Sequence, residues 1–101
     1  MEFNKLVRDK IPSIIENEGG RPVTRILELY EYSKKLEEKL DEEVAEFHES
    51  KELEELVDVL EIIYALVDLY GYSKQDLYEV YRKKHDERGG YKDRVYLIRK
   101  E

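Results

Sequence analysis

Four acidic residues lie close together on two predicted helices, and two of them stand where the helix should be apolar. Glu43 and Glu46 belong to one helix, and Glu55 and Asp58 belong to the next. At about 100° per residue, Glu43 lies within roughly 20° of Leu36, inside an apolar stripe, and Asp58 also falls among apolar residues. Acidic side chains in a desolvated seam repel one another unless a cation or bound protons neutralise them. Because all-oxygen donors suit hard divalent cations, we expect these carboxylates to bind Mg²⁺, with Mn²⁺ as the alternative.

The same acids also have an ordinary structural explanation. With 25 Asp and Glu in 101 residues, an ExxE or ExxD pair arises easily by chance. Glu43 and Asp58 would then simply face Lys or Arg partners across a helical hairpin. A di-iron bundle is a rival metal site, but it requires Glu-x-x-His on two helices. Neither histidine of this chain has an acidic residue three positions before it, so we set the di-iron alternative aside.

Hydrophobic spacing predicts two long helices that position the carboxylates. The first spans about residues 28–49, where apolar residues recur at i, i+4, i+8 and i+11 from Leu36. The second spans residues 51–70, with Ser50 as its N-cap and Gly71 at its end. Few residues separate the two helices, so we expect a tight hairpin that brings both acidic pairs together.

Shorter elements flank this hairpin. A short helix is expected to begin near Pro12 and to stop at Gly19. A further helix is expected after Ser73, which with Asp76 resembles a capping box that has Asp in place of Glu, and this helix should end before Gly89. Residues 23–26 and 95–98 have compositions typical of strands, so we expect two short extended segments that pair with each other.

Composition sets the fold class and excludes several functions. The 101 residues predict a single domain, 1–101. Half of them are Ala, Glu, Lys, Leu or Arg, which favours an all-α antiparallel bundle of three to four helices with short terminal strands.

A net charge of −7 argues against a nucleic-acid polymer as partner. Without Cys, no thiolate site is possible. The most apolar stretch is interrupted by acids, so we expect no membrane contact and a cytoplasmic location. The second long helix is apolar nearly all round, which predicts a homodimer or a homotetramer.

Several segments resemble one known family. The segments LDEEVAEF (40–47) and EELVD (54–58) resemble the ExxE and ExxD signature of the all-α nucleoside triphosphate pyrophosphohydrolases, the MazG-like superfamily. LVRDKIPSII (6–15) and KHDERGGY (84–91) are similar to its phosphoribosyl-ATP pyrophosphohydrolase-like subgroup. The resemblance implies a nucleotide substrate that water cleaves to a monophosphate and pyrophosphate. It also implies that Mg²⁺ is held on the triphosphate by Glu43, Glu46, Glu55 and Asp58.

Basic residues would have to neutralise the rest of a polyphosphate. Lys84 and Arg88 share one helix face at i, i+4, and Arg8 and Lys10 are further candidates for substrate binding. Alternatively, Lys84 and Arg88 only complement the dipole at the C-terminus of their helix. A different class of function also fits the sequence, namely a non-enzymatic helical interaction module, antitoxin-like or an adaptor, whose acids are solvated. A divalent-metal requirement separates the two functions.

Overall fold

The protein is all-helical, as its composition predicts. The computed structural model describes residues 2–101 and contains four helices: α1 (Ile11–Asn17), α2 (Leu29–Ser50), α3 (Leu53–Leu69) and α4 (Lys74–Arg88). The two long helices lie within one or two residues of their predicted bounds at most ends. Across residues 2–101, none of the helices is long and apolar enough to cross a membrane.

The α2–α3 hairpin is tight, as predicted, with two residues between the helices, but the N-cap assigned to Ser50 is wrong. Ser50 is the last residue of α2, and Glu52 is the N-cap of α3. Lys51 reverses the chain in the left-handed region at φ 59°, and its N–H donates to the Phe47 carbonyl at 2.8 Å. The Ser50 hydroxyl accepts the Glu52 N–H at 3.2 Å, so it stabilises the turn and not the first turn of α3.

The small core lies between α2 and α3. Leu36 of α2 is 2% exposed and Ile62 of α3 is 9% exposed, and Glu43 is buried with them at 8%. The position of Glu43 inside the apolar stripe of α2 is therefore confirmed. Burial of a carboxylate in so small a core is unfavourable, which makes this residue the first to need a functional explanation.

The outer helices are attached more loosely. Helix α1 begins beside Pro12, and α4 begins with the predicted capping box: the Asp76 N–H donates to the Ser73 hydroxyl at 3.0 Å, and the Ser73 N–H donates to the Asp76 carboxylate at 2.8 Å. Gly89, at φ 77°, ends α4 as predicted. Helix α4 packs lightly on α3 and does not contact α2. The molecule is consequently elongated, with principal extents of 61 × 32 × 23 Å.

The two predicted strands do not form within residues 2–101. Residues 23–26 and 95–98 belong to no helix and to no strand. Val23 is 99% exposed and Ile98 is 81% exposed. Local composition favours strands here, but a two-stranded ribbon without a packed face is at best marginally stable in water. Pairing of the two segments within one chain is therefore a wrong prediction.

Candidate metal centre

Three of the four predicted carboxylates converge between α2 and α3. One carboxylate oxygen from each of Glu43, Glu55 and Asp58 lies within 4.8 Å of the others. Glu55 and Asp58 are one helical turn apart on α3, on the side that also carries the buried Ile62. The tight hairpin brings this side of α3 against Glu43 of α2. We refer to Glu43, Glu55 and Asp58 as the carboxylate cluster.

Glu43 lies deepest in the cluster. Its side chain is 10% exposed, and its Oε2 atom is buried without a hydrogen-bond partner among residues 2–101. Burial raises the pKa of Glu43 above its ordinary value, and repulsion from Glu46 and Asp58 adds to the rise, while the nearby Lys39 opposes it. Buried acceptors without a partner are rare in proteins and typically mark a bound water, an ion or a functional group.

Glu46 borders the cluster from the next turn of α2. It is exposed and is not one of the three residues whose oxygens meet within 4.8 Å. Its charge still acts on the cluster, because the pKa of Glu55 is raised first by desolvation and next by Glu46. The predicted four-carboxylate set thus consists of three convergent acids and one at their edge.

Two cations offset part of this negative charge. The Lys39 ammonium lies 3.5 Å from Glu43 Oε1 on the same helix, and its side chain is 21% exposed. Arg8, from the segment before α1, donates through Nη2 to Asp58 Oδ1 at 2.6 Å. The alternative explanation of these acids, that they pair with Lys or Arg, thus holds in part, because Glu43 and Asp58 each have one basic neighbour. Glu43 Oε2 and both oxygens of Glu55 remain outside these pairs.

The predicted basic residues are not all brought to the cluster. Arg8 contacts it directly. Lys10, Lys84 and Arg88 are exposed and form no ion pair within residues 2–101. Lys39 is the residue that the sequence analysis missed. Its i, i+4 spacing to Glu43 is a signal that could have identified it, since such pairs are neighbours on a helix surface.

The residues present fit a hard divalent cation. The donors are all carboxylate oxygens from two helices, and one of the three residues, Glu43, has a buried oxygen that lacks a hydrogen-bond partner in the described part of the chain. Mg²⁺ is commonly held by a few carboxylates together with water and substrate phosphates, so three or four acids are sufficient. Soft metals are disfavoured because neither thiolate nor imidazole belongs to the cluster.

Comparison with known proteins leaves the function open. An uncharacterized protein of Mycolicibacterium smegmatis (strain ATCC 700084 / mc(2)155) is 55% identical over 42 residues, which make up 42% of this chain and 43% of that relative. The similarity thus spans less than half of either protein. No protein-family model and no solved structure matches the chain. A functional assignment therefore depends on the carboxylate cluster and the motifs in the sequence.

Proposed function

We propose that this protein is a metal-dependent nucleotide pyrophosphohydrolase. It hydrolyses a nucleoside triphosphate, or a related polyphosphate, to a monophosphate and pyrophosphate. The main support is the convergence of Glu43, Glu55 and Asp58 within 4.8 Å, with Glu43 buried among them. Holding three acids together is costly, and a divalent cation removes that cost. The resemblance of the acidic motifs to the MazG-like enzymes connects this metal chemistry to nucleotide hydrolysis.

The carboxylates have distinct parts in this proposal. Glu43, Glu55 and Asp58 hold Mg²⁺ or Mn²⁺, and Glu46 supplies a further oxygen at the exposed edge. The cation supplies positive charge to a polyphosphate that an acidic protein would otherwise repel. Because α2 and α3 are rigid elements joined by a two-residue turn, the carboxylates keep their spacing when substrate binds.

Arg8 is the basic residue best placed to contact the substrate. Its side chain is 52% exposed, and it uses Nη2 on Asp58 Oδ1. The guanidinium has five N–H donors, so others remain available for phosphate oxygens at the same edge. Lys10, Lys84 and Arg88 are proposed as additional phosphate ligands. The proposal also places the protein in the cytoplasm, where it would meet nucleotides and Mg²⁺.

One observation favours a second function, that of a helical interaction module without catalysis. Helix α3 exposes several large apolar side chains, among them Leu53 at 75% and Val57 at 50%. An exposed apolar stripe is typical of a partner-binding surface. The two functions differ in one respect that is simple to measure, since an interaction module needs no saturable divalent-cation site.

A nucleotide panel assayed for pyrophosphate release tests the proposal. Canonical and modified triphosphates are incubated with the purified chain in Mg²⁺, in Mn²⁺ and in excess chelator. We expect release with at least one nucleotide, in equal amounts to the monophosphate formed, and only with a divalent cation. Equal rates in chelator, or release of orthophosphate in place of pyrophosphate, would contradict the proposal.

A matched pair of variants connects that activity to the cluster. Asp58→Asn removes a cluster oxygen and should reduce turnover by orders of magnitude, while helicity by circular dichroism is retained. Asp68→Asn makes the same chemical change on the exposed end of α3, away from the cluster, and should keep the wild-type rate. Similar rates for both variants would show that the activity arises elsewhere.

A further inference from the structure

A single side-chain hydrogen bond joins distant parts of the described chain, and it ends on the carboxylate cluster. Arg8 and Asp58 are 50 positions apart, and Arg8 Nη2 donates to Asp58 Oδ1 at 2.6 Å. Every other side-chain hydrogen bond among residues 2–101 joins residues at most six positions apart. The guanidinium of Arg8 therefore provides the long-range polar contact of residues 2–101, and its acceptor is one of the proposed metal ligands.

The N-terminal segment, which we define as residues 4–10, runs beside the cluster. Asn4, Lys5 and Leu6 line a small cavity together with Lys39 and its neighbours on α2. Helix α1, which follows the segment, packs against no other helix within residues 2–101. The hydrogen bond from Arg8 is thus the polar attachment of this segment to α3.

The ion pair between Arg8 and Asp58 can exchange with other ligands. The Arg8 side chain is 52% exposed and the Asp58 side chain is 38% exposed, and ion pairs this accessible to water contribute little free energy. Asp58 also supplies one of the three oxygens that meet within 4.8 Å. A divalent cation in the cluster and the guanidinium on Asp58 would lie only a few ångström apart and repel each other. Each therefore disfavours the other at this carboxylate.

Arg8 is better suited to move than the other cation at the cluster. The Lys39 ammonium lies 3.5 Å from Glu43 on the same helix, and its side chain is only 21% exposed. Arg8 comes from outside the hairpin and is half exposed. Its planar guanidinium can bind two oxygens of a phosphate group at once. A phosphate bound to the cation would present such oxygens at the exposed edge of the cluster.

We propose that Arg8 takes the place of the cation at Asp58 in the metal-free protein, and that binding of a divalent cation transfers its guanidinium to a phosphate of the substrate. The inference rests on the proposed function, because it requires both a cation in the cluster and a phosphate ligand. It predicts that removal of Arg8 has two effects of opposite sign. The cation binds more tightly because it has no competitor, and the phosphate binds more weakly because it has lost a ligand.

Mn²⁺ binding by the full chain without phosphate tests the first effect. Electron paramagnetic resonance of the free ion should show a Kd that is about two- to fivefold lower for Arg8→Gln than for the wild type, the range expected for loss of a half-exposed ion pair. Arg8→Lys keeps the charge and should remain closer to the wild type. Arg21→Gln removes the same charge from an exposed residue that forms no ion pair within residues 2–101, and should leave the Kd nearly unchanged.

Calorimetry with inorganic pyrophosphate, in saturating Mg²⁺, tests the second effect. Arg8→Gln should raise the pyrophosphate Kd at least about tenfold, because hydrogen bonds to charged groups are among the strong ones. Arg8→Lys should recover part of this loss, since an ammonium is a point charge without the planar fork. Arg21→Gln should bind pyrophosphate like the wild type. If Arg8 merely fixed the N-terminal segment, Arg8→Gln would weaken the binding of both ligands.

The outcomes separate this inference from the proposed function. Mn²⁺ binding by Arg8→Gln that is weaker than or equal to that of the wild type would overturn the inference and leave the metal site intact. Undiminished pyrophosphate binding by Arg8→Gln, or no pyrophosphate binding by the wild type, would overturn the transfer to phosphate. An absence of saturable Mn²⁺ binding by the wild type would overturn the proposed function as well.

Discussion

Replacing Glu43 with Gln tests how strongly the cluster opposes folding in the absence of metal. Glu43 Oε2 is buried without a partner, and Oε1 lies 3.5 Å from Lys39 Nζ. A buried acceptor without a partner costs about 1–3 kcal/mol, and the amide of Gln can donate to a neighbouring carboxylate. Loss of the i, i+4 pair with Lys39 costs about 0.3–0.5 kcal/mol. The variant should therefore be more stable than the wild type in chelator, by about 1 kcal/mol.

Thermal unfolding followed by circular dichroism, at one fixed protein concentration, measures this difference. A gain of 1 kcal/mol corresponds to a rise in Tm of about 4–8 °C for a domain of this size. Saturating Mg²⁺ should reverse the order, since a ligand at 100 times its Kd stabilises the wild type by about 2.7 kcal/mol and the variant has lost a metal ligand. Glu42→Gln removes the same charge from an exposed neighbouring position and should respond to Mg²⁺ like the wild type. A lower Tm for Glu43→Gln in chelator, or an equal Mg²⁺ response in both variants, would refute the reasoning.

Four further outcomes are expected. The pKa values of Glu43 and Glu55 are raised in the folded state. Their contribution to metal-free stability is therefore complete below the unfolded pKa and is lost as the pH rises through the folded pKa. The Tm in chelator should consequently increase on acidification, and Mg²⁺ should reduce that pH dependence. Arg8→Ala should lower kcat/KM for the nucleotide while changing unfolding free energy by less than about 1 kcal/mol, because its ion pair is half exposed; an unchanged kcat/KM would remove Arg8 from the site. If Lys84 and Arg88 bind phosphate, replacing either with Ala should weaken transition-state stabilisation by about 2–4 kcal/mol. An unchanged kcat/KM, together with a fall in Tm equivalent to about 0.3–1 kcal/mol, would show that these residues only complement the dipole at the C-terminus of α4. Lys51→Gly should raise Tm, because Gly adopts the left-handed conformation of this turn without strain, and a fall in Tm would indicate that the Lys51 side chain stabilises the hairpin.

The α2–α3 hairpin and the buried Glu43 could be predicted from the sequence because both depend on helical periodicity. Helical periodicity determines which side of each helix is apolar, and that period places Glu43 beside Leu36 and Asp58 beside Ile62 without any knowledge of the fold. Glu43 is only 8% exposed, as its position on the helical wheel predicts. The Ser73 and Asp76 capping box is equally local, since both hydrogen bonds join residues three apart.

The interactions that the sequence does not reveal are those between distant segments. Arg8 and Asp58 are 50 residues apart, and nothing in their local patterns indicates that they meet at 2.6 Å. The Ser50 prediction fails because a good N-cap residue can equally end the preceding helix when the connection has two residues. The strands at 23–26 and 95–98 fail because propensity cannot supply the missing partner surface.

Titration of the protein with Mn²⁺, followed by electron paramagnetic resonance of the free ion, tests most directly the claim that the carboxylate cluster is a divalent-cation site. Glu55→Gln removes a cluster ligand, and Glu54→Gln removes the same charge from the adjacent exposed residue. We predict one saturable class of Mn²⁺ sites, displaced by Mg²⁺, that is present in the wild type and in Glu54→Gln and is lost or strongly weakened in Glu55→Gln. Equal Mn²⁺ binding by the two variants, or no saturable binding by the wild type, would contradict the claim.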